Sequence, residues 1–141
     1  MLFLAQSDTT VGFLSQNAEH INSAKGREGK KVLLEVDCLA TLRSFTRIPE
    51  IHKNFVRKAK KTTFIYPNAL ALRVIKDEFH LRFLHFYKWL YSSSANPTAS
   101  CFSLDFALQK ADIIIEDKRG FFQNSPSKIY KLTRTQAKRI R

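Results

Sequence analysis

The chain is 141 residues long, with 44% apolar and 26% charged residues, which excludes a disordered chain and allows one domain with a buried core. Its net charge of +12 favours a polyanionic partner such as a nucleoside triphosphate or RNA. No apolar run approaches the roughly eighteen residues of a membrane span, and residues 1–5 lack the basic start of a signal peptide. We therefore expect a single cytoplasmic domain over residues 1–141.

Short apolar runs alternate with helical patterns along the first half of the chain. Aliphatic and β-branched runs predict strands, whereas apolar residues three or four apart predict helices. In chain order, the pattern predicts a strand over 1–5, a polar loop over 7–12, a helix over 15–24 with Ser15 as its cap, a strand over 31–36, and helices over 38–45 and 49–60.

The second half of the chain continues this alternation. The pattern predicts strands over 62–66 and 69–75 around a Pro67-Asn68 turn, a helix over 77–89, a strand beginning at 89, a helix from Ser103 to Ala111, and strands over 112–117 and 129–132. The continuous apolar run from Ile113 to Ile115 predicts a fully buried strand. This alternation indicates an α/β domain with helices layered on a twisted sheet.

Cations are concentrated in two segments. Residues 118–141 contain eight Lys or Arg and no Asp or Glu, and residues 53–61 contain five Lys or Arg and no acid. Such segments attract polyanions through counterion release. A solvated, solubilising surface is the alternative interpretation of residues 53–61. We expect residues 118–141 to govern nucleic-acid binding more than chemistry.

Lys25-Gly26-Arg27 follows the first predicted helix. Arg offers a planar fork of donors and Lys a compact charge, and the glycine between them lets the backbone approach a ligand closely. The segment is therefore a candidate triphosphate clamp. The alternative is a helix end with a glycine cap and two cations that compensate the helix dipole.

A serine-rich turn follows about seventy residues later, at residues 92–97. Hydroxyl and amide groups at Ser94 and Asn96 can bind phosphate oxygens, although an ordinary Ser/Asn/Pro turn has the same composition. The chain contains neither a Walker loop nor G-x-G-x-x-G, and its histidines and cysteines are not at metal-ligand spacings. The residues therefore favour phosphate binding and give no support to hydrolase or dinucleotide-binding chemistry.

These pieces follow the order of a known signature. The chain resembles the YrdC-type threonylcarbamoyl-AMP synthase family, in which Lys-x-Arg is followed far downstream by Ser-x-Asn. Lys25 and Arg27 match the first half of the signature, and Ser94 and Asn96 the second. Further matches are the threonine-rich loop at residues 7–13, the strands at 63–65 and 71–74, and the closing strand and Pro-Ser segment at 112–115 and 126–127.

The resemblance implies a single-domain YrdC-like fold, a twisted mixed sheet flanked by helices. It also implies synthesis of threonylcarbamoyl-AMP from L-threonine, bicarbonate and ATP, with Mg²⁺ accompanying ATP and a downstream tRNA threonylcarbamoyl transferase using the product. The implied catalytic residues are Lys25, Arg27, Ser94 and Asn96, and the implied substrate-binding residues are Thr9, Thr63, Arg73 and Ser127. No protein-bound metal is expected, and Asp8 is interpreted as a cap of its loop.

Two other interpretations stay open. Val11 stands where the family has a tyrosine, and Lys60-Lys61-Thr62 stands where it has Pro-Gly-Pro. These departures and the basic charge favour a YrdC-like module that binds tRNA or double-stranded RNA without catalysis. A third interpretation is an unrelated basic α/β protein that associates with the ribosome.

Overall fold

The computed structural model describes residues 1–97 and 101–141, and helices flank one mixed sheet. The strands are β1 (Phe3–Gln6), β2 (Val11–Ser15), β3 (Leu33–Val36), β4 (Thr62–Ile65), β5 (Ala71–Val74), β6 (Trp89–Ser94), β7 (Ile113–Ile115), β8 (Lys128–Leu132) and β9 (Ala137–Arg139). The helices are α1 (Ala18–Ala24), α2 (Leu39–Phe45), α3 (Lys53–Lys58), α4 (Glu78–Leu84) and α5 (Leu104–Lys110), with a 3₁₀ turn, Glu50–His52, leading into α3.

The nine strands of the described residues form a sheet in the order β7-β1-β2-β6-β3-β5-β4-β8-β9. Strand pairs β1/β7, β3/β5 and β4/β8 are parallel, and the other neighbours are antiparallel. The expected α/β architecture with a mixed sheet is therefore confirmed. Strand order itself does not follow from the sequence pattern, because most neighbours in the sheet are distant in the chain.

Strand alternation divides the core between the two faces of the sheet. On one face, α2 and α3 pack on β3, β4 and β5, while α1 and α5 pack on β1 and β2. The other face is covered by α4, whose Leu84 packs against Leu14 and Leu90. We refer to the α2–α3 side as the helical face and to the opposite side, covered partly by α4, as the α4 face.

Two predicted boundaries near the N-terminus were wrong. Residues 11–15 form β2 rather than loop and helix, and α1 begins at Ala18. Its cap is Asn17, whose Oδ1 accepts from Glu19 N at 3.0 Å, whereas Ser15 is the last residue of β2. Gly12 is unusual inside a strand, which obscures the β2 pattern in the sequence. The structure requires glycine there, because a Cβ would lie only 3.1 Å from the Ser93 carbonyl oxygen.

The C-terminal half differs from the sequence prediction at three points. Helix α4 ends at Leu84, and Lys88 takes a positive φ of 67° before β6 starts at Trp89. Strand β7 lies at the edge of the sheet, and Ile113 and Ile114 are 37% and 42% exposed, so the predicted full burial was wrong. The basic segment contains β9, which pairs with β8 as a hairpin. The predicted Ser103 cap is confirmed, because its Oγ accepts from Phe106 N.

Among the residues that the structure describes, no helix has both the length and the apolar character needed to cross a membrane.

Substitution of Leu90 tests the packing of the core under α4. Its side chain is fully buried in the central strand β6, so Leu90→Ala is expected to lower the free energy of unfolding by roughly 2–5 kcal/mol. Leu108→Ala on α5, where the leucine is 40% exposed, is the control and is expected to change it far less. Urea unfolding measures both variants, and equal losses would contradict the described core.

Candidate functional site

Helix α1 ends in a glycine cap that sets the direction of the Lys25-Gly26-Arg27 segment. Gly26 has a positive φ of 67°, its N–H donates to Ser23 O, and Arg27 N donates to Asn22 O at 2.9 Å. This is a Schellman arrangement, in which glycine relieves the strain of a left-handed residue. The capping interpretation of this segment is thus correct, and the cap also turns both cations toward β6.

Lys25 binds the serine turn at the end of β6. Its Nζ donates to Ser93 Oγ at 3.1 Å, to Ser94 O at 2.8 Å and to Asn96 Oδ1 at 3.2 Å, with Ser94 Oγ at 3.4 Å. Ser94 Oγ in turn donates to Asn96 Oδ1. These four oxygens belong to hydroxyl, carbonyl and amide groups, and the Lys25 residue is 7% exposed.

Arg27 reaches the same turn from the other side of Gly26. Its Nη2 donates to Ser93 Oγ at 3.2 Å and its Nε donates to Asn22 Oδ1 at 3.0 Å. Among the described residues, no carboxylate lies within ion-pair distance of Arg27. The structure therefore brings Lys25, Arg27, Ser94 and Asn96 together, and we call them, with Ser93, the Lys-Arg cluster.

The pKa values of both cations in this cluster are lowered. Burial, with a smaller contribution from the charge of Arg27, lowers the pKa of Lys25 from 10.5 to about 8. Burial also lowers the pKa of Arg27. An anion placed here would favour the protonated forms of both side chains, which is the electrostatic condition for a phosphate site.

Sheet register places further candidates on the α4 face. Glu35 pairs with Arg73 across β3 and β5, and Phe64 pairs with Leu72, so Thr63 of β4 faces the same way as Arg73. Ser92 hydrogen-bonds Glu35, and Ser94 lies two residues further along the same face of β6. The polar residues thus form a continuous row from the Lys-Arg cluster to Thr63.

Arg73 is the centre of a buried charge network. Its Nη2 donates to Glu35 Oε1 at 2.5 Å and lies 3.3 Å from Asp8 Oδ1. His80 Nε2 lies 2.6 Å from Glu35 Oε2, and because a carboxylate only accepts, Nε2 carries the proton. The side chains of all four residues are at most 5% exposed. Two atoms of the network, Asp8 Oδ1 and Arg73 Nε, have no hydrogen-bond partner among the described residues.

The pKa values of the two carboxylates in this network, Glu35 and Asp8, are shifted in opposite directions. Burial alone would raise the pKa of Glu35, but the charges of His80 and Arg73 outweigh it and hold that pKa well below its ordinary value. At Asp8, burial is stronger than the attraction of Arg73, and the pKa is raised. Two carboxylates thus compensate the Arg73 charge, so this residue is less available to a substrate anion than Arg27.

Thr63 and Ser127 meet on neighbouring strand ends. Their Oγ atoms are 2.9 Å apart, because β4 runs parallel to β8 with Thr63 opposite Ile129. Arg141 closes over this pair, with Nη2 donating to Ser127 Oγ at 3.2 Å and Nε donating to Ser127 O at 2.9 Å. Burial, together with the nearby charge of Arg73, lowers the pKa of Arg141. This second polar group therefore carries a positive charge next to two hydroxyls.

Ser7 closes the loop between β1 and β2. Its Oγ accepts from the backbone N–H groups of Thr9 and Thr10, each at 3.2 Å, and donates to Thr10 O at 2.6 Å. Thr9 is buried, with Oγ1 at 3.3 Å from Ser7 Oγ. The capping role expected of Asp8 is performed by Ser7, because Asp8 turns toward Arg73.

The sequence prediction missed several residues of this site. Ser93 is part of the serine turn but was not singled out, although it contacts both Lys25 and Arg27. Glu35 interrupts an otherwise apolar strand, and an acid at such a position is a signal of a buried ion pair. His80 and Arg141 gave no comparable signal, because their partners are 45 and 14 residues away in the chain.

The comparisons with known proteins agree on the fold. No protein-family model matches the chain, and no curated protein matches it. Among solved structures, a doubly substituted P. abyssi Sua5 superposes with a TM-score of 0.82 at 17% identity, covering 99% of this chain and 52% of that one. P. abyssi Sua5 complexed with L-threonine gives a TM-score of 0.78 at 18% identity, covering 99% of this chain and 49% of that one.

Two further proteins share the architecture. E. coli YciO superposes with a TM-score of 0.78 at 15% identity, covering 99% of this chain and 82% of that one. Full-length HypF in its phosphate- and nucleotide-bound form gives 0.76 at 11% identity, covering 99% of this chain and 26% of that one.

The mixed sheet and its flanking helices define a YrdC-like fold. In particular, the chain has the fold of Sua5 and YciO and spans about half the length of the Sua5 structures it matches.

The pKa of Lys25 gives this site a testable pH dependence. Because folding lowers this pKa from 10.5 to about 8, the unfolded chain binds more protons between these values, and stability attributable to Lys25 rises with pH there. Lys25→Met removes that contribution. We expect the stability of the wild type relative to Lys25→Met to increase from pH 8 to 9.5 in urea unfolding. The exposed Lys131→Met is the control, and a difference between wild type and Lys25→Met that is constant with pH would contradict the lowered pKa.

Proposed function

We propose that the protein is an L-threonylcarbamoyladenylate synthase of the YrdC type. The observation that supports this most directly is the convergence of Lys25 and Arg27 on the Ser93–Asn96 turn within a YrdC-like fold. Similarity to Sua5 complexed with L-threonine and to HypF bound to phosphate and nucleotide adds the two ligand classes that the reaction requires.

The Lys-Arg cluster is proposed to bind the triphosphate of ATP. The described oxygens that contact Lys25 and Arg27 belong to hydroxyl, amide and carbonyl groups, and a bound triphosphate would add anionic oxygens to them. Ser94 and Asn96 would donate to phosphate oxygens after releasing the lysine. Mg²⁺ would enter bound to ATP as part of the substrate and bridge its phosphate oxygens.

The proposed reaction has two steps. The amino group of L-threonine first adds to bicarbonate with loss of water, which gives N-carboxythreonine. A carbamate oxygen then attacks the α-phosphorus of ATP in line, and the bond to the β-phosphate oxygen breaks as pyrophosphate leaves. Such a displacement requires positioning and neutralisation of charge rather than a covalent nucleophile. Lys25 and Arg27 would stabilise the charge that develops on the leaving pyrophosphate.

The second polar group is proposed to position the amino acid and its carbamate. Thr63 and Ser127 offer hydroxyls beside the cationic Arg141, a combination suited to a carboxylate. Thr9 would contribute from the β1–β2 loop, and Arg73 would act at the edge of this group. The product, threonylcarbamoyl-AMP, would pass to a tRNA threonylcarbamoyl transferase.

Arg27→Ala tests the synthase proposal. Removal of one preorganised donor is expected to cost roughly 2–4 kcal/mol of transition-state stabilisation, about 30- to 1000-fold in rate. The measurement is pyrophosphate release from ATP that requires both L-threonine and bicarbonate. Arg82→Ala, which removes a 71% exposed guanidinium from α4, is the matched control and is expected to retain activity. Full activity of a folded Arg27→Ala protein would remove this residue from the site, and a wild type without threonine-dependent release would reject the proposal.

RNA binding without catalysis is the second candidate function. The β8–β9 hairpin supports it, because its cations are exposed at the edge of the sheet: Lys128, Lys131, Arg134, Lys138 and Arg139. A row of such cations follows the backbone of a nucleic acid without reading its sequence.

Neutralising four hairpin cations tests this alternative. The variant carries glutamine at Lys131, Arg134, Lys138 and Arg139. We expect the log–log salt slope of double-stranded RNA binding to fall by about 0.9 for each phosphate that the variant no longer neutralises, while threonine-dependent pyrophosphate release is retained. Gel-shift titrations over a range of salt measure the slope. An unchanged slope combined with weaker ATP binding would assign the hairpin to the nucleotide site instead.

A further inference from the structure

A cleft between α2 and α3 lies on the helical face, opposite to the polar row that runs from Ser94 to Thr63 on the α4 face. It is lined by residues of α2, α3 and the segment between them and has a volume of about 780 Å³. Its rim contains Arg43, Arg47, Lys53 and Arg57. Neither the proposed synthase reaction nor the β8–β9 hairpin uses this cleft.

The rim of the cleft is strongly basic. Four of its lining side chains are cations and none is an acid, and the four cationic residues are all exposed. Lys53 forms an ion pair at 2.7 Å with Glu50, which does not line the cleft. Arg43 and Arg47 have no ion-pair partner among the described residues. Arg57 is held by a neutral group, since its Nη2 donates to Asn54 Oδ1 at 3.0 Å.

Further cations extend the basic field past the end of α3. Lys76 Nζ donates to Arg57 O, and burial, together with the charge of Lys60, lowers the pKa of Lys76. Like charges are therefore close enough to repel one another. A row of bound anionic groups would relieve that repulsion, so a polyanion complements the charge of the rim.

The floor of the cleft is apolar and contains an aromatic ring. Leu39, Phe45 and Ile48 form it, with Phe45 half-buried. Phe45 packs edge-to-face on Trp89, with ring centroids 5.5 Å apart and an interplanar angle of 75°. The aromatic contact fixes the ring, so that it is a preorganised surface for another flat group.

We propose that this cleft binds a segment of single-stranded RNA, with phosphates on the rim and a base on Phe45. Single-stranded nucleic acid is bound in general by a positively charged groove that contains an aromatic stacking platform. Duplex RNA keeps its bases stacked inside and fits the cations but not the ring. An acidic peptide fits the cations but brings no flat base to Phe45.

Anisotropy of a fluorescein-labelled hexauridylate measures the affinity at about 0.15 M salt. Arg47→Gln combined with Arg57→Gln is expected to weaken binding about tenfold and to lower the log–log salt slope by about 1.4, the value for two neutralised phosphates of a single strand. Arg82→Gln combined with Lys110→Gln is the matched control, because both side chains are exposed and the pair removes the same two charges. Arg82 lies on α4, on the opposite face of the sheet, and Lys110 ends α5, which packs on β1 and β2 rather than beside the cleft. The affinity of this control variant should change less than about twofold.

Two further measurements locate the strand in the cleft. Trp89 is the sole tryptophan, and its contact with Phe45 makes its fluorescence a reporter that should respond saturably to unlabelled hexauridylate. Phe45→Leu, checked for thermal stability, should weaken binding about fivefold or more, as expected when one base can no longer stack.

If the two double variants lost the same affinity for hexauridylate, net charge alone would explain the effect, and the proposal would be overturned. It would also be overturned by unchanged affinity of folded Phe45→Leu, by equally tight binding of uridine monophosphate, or by tighter binding of a duplex than of hexauridylate. None of these outcomes bears on pyrophosphate release, so the synthase proposal stands or fails separately.

Discussion

The buried pair of Glu35 and Arg73 is the interaction on which the candidate site depends. It joins β3 to β5, fixes α4 through His80, and draws the β1–β2 loop inward through Asp8. Removing one partner from such a pair leaves an uncompensated buried charge, which typically costs about 3–5 kcal/mol. The network therefore holds the row of polar residues between Ser92 and Thr63 in one arrangement, because none of its members can move without exposing a charge to an apolar surrounding.

The Lys-Arg cluster joins a helix cap to the residues that we propose bind phosphate. Gly26 caps α1, and this cap turns Lys25 and Arg27 toward the β6 turn rather than along the helix axis. Lys25 Nζ then donates to four oxygens of residues 93–96. These contacts hold the turn in place, and the same donors are the ones proposed to bind phosphate oxygens.

The sequence predicted the parts of the site that carry a local pattern or a family signature, and it missed those that depend on strand register and helix packing. The α/β class and most elements were recognisable from local patterns, and the association of Lys25 with Ser94 and Asn96, about seventy residues away, was recognisable from the order of the family signature. Glu35 and His80 were not, because their roles follow from strand register and from the packing of α4, which sequence spacing does not encode. Strand β7 was misjudged for a similar reason: an apolar run predicts burial, but only the sheet order places it at an edge.

The exposed edge strand β7 affects how readily the protein associates at high concentration. Strand β7 exposes Ile113 and Ile114 beside backbone groups that no other described strand pairs with, which is the kind of surface on which a second chain can add. Its length of three residues and the flanking acids Asp112 and Glu116 work against such addition. The overall charge of +12 does so as well, by keeping molecules apart. Solubility thus rests partly on long-range repulsion, and concentrated salt, which screens it, removes one of the barriers to edge-to-edge assembly.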